Sequence, residues 1–158
     1  MTFPLPSNSY EESVLRNIEQ HGWHFTHVFG DDEGPSFSYS VGLQSSYNHP
    51  EIILFGLPQK AAHGLVSLIA ERAASGDPID LDKPSDEIIQ GYPCIFVEAN
   101  QANRQEYTLS NCWLYQGDDF SLYQLVWPSE QGFFPWHPDA HESFRLSQPV
   151  LGDIRSGA

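Results

Sequence analysis

The triplet His49-Pro50-Glu51 sets an imidazole and a carboxylate on either side of a proline. Imidazole titrates near neutral pH and serves as a general base, and a carboxylate orients it or acts as an acid. Proline restrains the backbone and biases His49 toward an extended conformation. The apolar run EIILFG follows at once, so the pair would sit at the mouth of a strand. Loops held there by a rigid sheet often carry function. On this reading His49 is the base and Glu51 its partner, in a small hydrolase or transferase. The plain alternative is a turn into the strand whose polar groups bond the backbone.

Other chemistry-bearing side chains are weaker candidates. His21, His24 and His27 recur at intervals of three, but His24 and His27 would point to opposite sides of a strand and cannot share a metal ion. His63 lies about 160° around a helix from Leu65 and should face solvent. In HPDAHE, His137, Asp139 and His141 are the weak metal candidates, able to meet a divalent cation if the segment is extended. An acidic tail supplies the same residue types by chance, so no metal is assigned. Cys94 and Cys112 lack CxxC spacing and an electropositive setting, and read as free buried thiols. The GxxxxGK, GxGxxG, GxSxG and HExxH patterns are absent, and no cofactor is expected.

The elements that must position these groups follow from periodicity. Tyr10, Val14 and Ile18 repeat every four residues, Ser9 and Glu12 form a capping box and Gly22 is a stop, so a helix is predicted from about Tyr10 to Gln20. WHFTHVFG and SFSYSVG alternate and flank the turn DDEGP, predicting a hairpin with Phe37, Tyr39 and Val41 inward and the serines outward. EIILFG is more continuously apolar and should be central. A second helix runs from Pro58 to Gly76 on a stripe of Ala61, Ala62, Leu65, Leu68 and Ile69. PCIFVEA and FSLYQLVW are further strands, the last closed by Pro128, while Asn103 to Tyr115 reads as a helix or a strand pair. The fold class is α+β: a single domain over 1–158, with a mostly antiparallel sheet and two or three helices packed on it. About 1–8 and 140–158 are expected to be less ordered tails.

The formal net charge is −14, from 21 acidic against 7 basic side chains. Such a surface repels nucleic-acid phosphates and anionic membranes, and favours a basic protein partner by electrostatic steering. The start carries no basic, apolar leader and no apolar run is long enough to span a bilayer, so the expected location is the cytoplasm.

Within WPSEQGFFPWHP, Trp127 to Pro138, two tryptophans and two phenylalanines lie among three prolines. An aromatic flap folded back on the sheet is the simplest account, and one or two rings at a cleft near His49 and Glu51 is the functional one. GWHFTHVFGDDEGPSFSYSVGL, HPEIILFGLP and LYQLVWPSEQGFFPW resemble blocks of the bacterial family catalogued as domain of unknown function 4262, framing about Gly22 to Trp136. The resemblance carries over to Gly22, Trp23, Tyr39, Gly42, Leu43, His49, Pro50 and Glu51, and to Gln124, Trp127, Pro128, Gly132, Phe134, Pro135 and Trp136. The chain departs from that pattern at Ser129, where an acid is usual, and at HPD after the last tryptophan. The resemblance implies one fold and no activity.

Two functions remain open. The first is a non-catalytic binding protein, in the manner of an acidic immunity or antitoxin inhibitor, steered by Asp31–Glu33 and Asp77–Glu87 and anchored by Tyr39, Trp127, Phe134 and Trp136 on a basic protein or a small molecule. The second is the hydrolase or transferase with His49 and Glu51 beside the aromatic flap.

Overall fold

The computed structural model describes residues 2–154. In chain order the elements are α1 (Ser9–His21), β1 (His24–Val28), β2 (Phe37–Val41), α2 (Leu43–Tyr47), β3 (Glu51–Phe55), α3 (Gln59–Ala74), β4 (Ser85–Ile89), β5 (Tyr92–Glu98), α4 (Gln101–Tyr107), α5 (Leu109–Tyr115), β6 (Leu122–Val126) and α6 (Glu142–Ser147). The strands form one sheet in the order β1-β2-β3-β6-β5-β4. Only β3 and β6 are parallel; the other neighbours are antiparallel, as the α+β reading requires.

Among the described residues six helices replace the expected two or three. Besides α1 and α3, the four others are five to seven residues long. That is too short for an apolar period to emerge from composition. The ambiguous stretch from Asn103 to Tyr115 resolves into parts of α4 and α5, joined at Thr108. Asn8, not Ser9, caps α1 by accepting from the Glu11 amide, and Glu11 receives the Ser7 amide in turn.

Both sheet faces are covered, which corrects two expectations. Ser38 and Ser40 were expected to face solvent, yet both are fully buried. They lie on the face where Ile52, Leu54, Phe96 and Leu125 pack with α3. The stripe of α3 is also rotated: Ala62, Val66, Ile69 and Ala70 are buried, whereas Ala61 is exposed. On the other face Tyr39, Val41, Ile53, Phe55 and Leu122 meet Val14 and Ile18 of α1 and Leu114 of α5.

The segment after Ala140 was expected as a tail. It is packed on the sheet: Gln148 and Leu151 are buried, and the buried Gln124 side chain bonds Pro149 O and Leu151 N at 2.7 and 2.8 Å.

Candidate functional site

The parallel register of β3 and β6 decides the geometry. Glu51 lies beside Leu122 and Ile53 beside Gln124. Trp127 is therefore five positions beyond the level of Glu51, roughly 16 Å along the strands at ~3.3 Å per residue. The Trp127 indole confirms the placement by donating to the carbonyl of Phe55, the last residue of β3, at 2.9 Å. His49 and Glu51 begin β3 and Trp127 flanks its end. The expected cleft combining them is not formed.

Glu51 is fully buried and accepts five hydrogen bonds. Ser40 Oγ donates at 2.7 Å, the amides of Gly42, Leu43 and Gln44 at 3.0–3.2 Å, and the Tyr115 hydroxyl at 2.5 Å. Burial pushes its pKa up, and the bonds from Tyr115 and Ser40 pull it down. The carboxylate thus ties the start of α2 to β2, β3 and α5. Gly42 makes the turn possible: its φ of 105° is in the left-handed region, which suits glycine.

His49 is buried and bonds through Nδ1 to the Pro50 carbonyl at 2.7 Å, while its Nε2 is buried without a partner. A carbonyl only accepts, so Nδ1 carries the proton and Nε2 is a bare acceptor. Burial lowers its pKa. All of Glu51's described hydrogen bonds come from other groups, so the expected orienting role toward His49 has no bond to carry it. Tyr39, expected at a ligand, is instead a core side chain whose hydroxyl accepts from the Ser110 amide.

The aromatic segment divides around the end of β6. Phe134 and Trp136 stack at 5.1 Å and pack on Ile95, Val97 and Val126. Trp127 belongs to the opposite face, with the core under α3. There it helps line a pocket of about 500 Å³ with Ser129, Glu130, Gln131, Phe133, Asp139, His141 and Phe144. The Phe144 ring of α6 meets Trp127 edge-on at 5.1 Å. Of the expected ligand residues, only Trp127 lines this pocket. Phe133 stood unremarked in GFFPW, and Phe144 carried no signal in a stretch that reads as a polar tail.

The weak metal candidates have other work. His137 stacks on Phe133 at 4.2 Å and accepts the Asp139 amide, and His141 caps α6 by accepting the Ser143 amide. Among the described residues no three His, Cys, Asp or Glu side chains are grouped to hold a metal ion. His24 bonds Asn17 and His27 bonds Ser38, on opposite sides of β1. Burial pushes the Cys94 thiol up to about 12, so it is not a nucleophile at neutral pH.

These features define an α+β domain on one mixed sheet, with an aromatic and acidic pocket at the end of β6 and a carboxylate pinned by backbone amides at the start of β3. The chain belongs to the family described as Domain of unknown function (DUF4262), whose model matches residues 17–141. That span runs from within α1 to the cap of α6 and stops short of Phe144. Neither the curated proteins nor the solved structures contain a significant match. No described helix is long and apolar enough to cross a membrane.

Proposed function

We propose that the protein is a non-catalytic binding protein that receives a cationic group, presented by a basic protein partner, in the Trp127 pocket. The observation that carries this reading is the lining itself: the rings of Trp127, Phe133 and Phe144 stand with the carboxylates of Glu130 and Asp139 around one space of about 500 Å³. Aromatic faces attract ammonium and guanidinium groups, and adjacent carboxylates supply the counter-charge. The formal charge of −14 steers a basic partner toward the surface from a distance. Arg145 of α6 is not part of the lining, and its guanidinium donates to the carbonyls of His137 and Pro138.

An arginine-rich peptide titrated calorimetrically is the direct test. Binding should weaken as salt rises from low to physiological, and Glu130→Gln with Asp139→Asn should weaken it further. A peptide that fails to bind, or that binds the double variant as well as wild type, overturns the reading.

A further inference from the structure

The two edges of the sheet are built differently. β4 carries Asp86 and Glu87 and an irregular register, devices that keep an edge from pairing with another chain. β1 has none of them: from His24 to Phe29 the sequence HFTHVF contains no Lys, Arg, Asp, Glu or Pro. Val28 and Phe29, at its end, are 38% and 73% exposed.

The direction of the free backbone groups follows from the pairing of β2 with β3. The Gly56 N–H donates to the Ser36 carbonyl at 2.9 Å, so Ser36, Ser38 and Ser40 direct their backbone groups to β3, and Phe37, Tyr39 and Val41 direct theirs to β1. Bonded and non-bonded pairs alternate along an antiparallel ladder. Val28, Thr26 and His24 therefore bond inward to β2, and Phe25 and His27 direct their N–H and C=O groups outward.

We propose that β1 is a dimerisation edge, pairing antiparallel with β1 of a second copy about a two-fold axis at Thr26. In that register Phe25 meets the second copy's His27 in a bonded pair and Thr26 meets its own copy in a non-bonded one, so each outward-facing residue finds an outward-facing partner. Phe29 then lies across from the second copy's Trp23, on the same face of the joined sheet. A pocket of about 510 Å³ waits there, walled by Trp23, Phe25 and His63, with Trp23 and His63 stacked at 6.1 Å. No carboxylate lines it, in a chain with 21 acidic residues. The edge from His24 to Phe29 carries no acidic side chain, so two copies of a chain with a formal net charge of −14 meet there without opposed carboxylates. The interface is isologous, as a closed dimer requires.

Sedimentation velocity on the full chain across the micromolar range should show a dimer in reversible exchange with monomer. Phe29→Asp, at a side chain the fold leaves exposed, should retain the circular dichroism of wild type and raise the dimer dissociation constant about tenfold or more. Thr26→Cys, in a Cys112→Ser background, should yield a disulfide-linked dimer on mild oxidation, because facing residues of a non-bonded antiparallel pair lie closest together and within disulfide reach. A wild type that stays monomeric throughout, including one whose edge takes up only a foreign strand, overturns the proposal. So does a Phe29→Asp variant that dimerises as wild type does.

Discussion

The side-chain amide of Gln148 stands in for a strand beside Trp127. Its Oε1 accepts the Trp127 N–H at 3.1 Å and its Nε2 donates to the Trp127 carbonyl at 2.7 Å. Pro128 ends the strand there, so the backbone of Trp127 would otherwise lose its ladder partner. Gln148 is 1% exposed, and water cannot replace it.

Gln148→Leu keeps the volume and removes both bonds. A buried amide group left unpaired costs about 1–3 kcal/mol, so chemical denaturation should show a loss of roughly 2–6 kcal/mol for the two Trp127 groups. An unchanged midpoint would mean that the C-terminal segment contributes nothing to the fold.

Glu51→Leu should be among the most damaging substitutions, because it strands three amides and two hydroxyls. A loss of about 3–5 kcal/mol is expected in the same assay. Tyr115→Phe removes one donor and should cost about 1–2 kcal/mol. Equal small effects from both would show that the carboxylate is not the anchor of α2.

Stability should fall on mild acidification. Burial holds the pKa of His24 and His49 below the ordinary 6.5. From about 6.5 down to the lower native values, the unfolded chain binds more protons than the native one, so unfolding free energy rises with pH. Melting temperature should therefore drop between about pH 7.5 and about pH 5.5. Replacing both histidines by Gln should flatten the slope relative to wild type, a comparison that cancels the opposing contribution of Glu51. An equally steep profile in the double variant would assign the effect elsewhere.

Phe144→Ala should open the Trp127 pocket with only a moderate loss of stability, since the edge-on ring pair is worth about 0.5–1.5 kcal/mol beyond the area it buries. Solvent should then reach Trp127, and iodide should quench more of the protein's tryptophan fluorescence. Quenching identical to wild type would place Phe144 outside the pocket wall.

Much of the scaffold was legible in the residues. The long elements α1 and α3, the hairpin and the central β3 each have a period or a punctuating glycine or proline that local physics imposes. The short helices α2 and α6 escaped, and α4 and α5 stayed ambiguous, because five to seven residues hold too few turns to show a stripe. Ser38 and Ser40 were misjudged because alternation assigns polar residues to solvent, whereas α3 covers that face and His27 and Glu51 satisfy the hydroxyls.

By itself, the sequence determined an acidic α+β domain, its principal strands, and the chemical character of its aromatic segment. The pairing of β3 with β6 was decided only by the tertiary structure. A parallel neighbour places strand starts side by side, whereas an antiparallel one would have brought Trp127 to Glu51. No local pattern encodes that choice, because it depends on how helices and loops far along the chain cover both faces of the sheet.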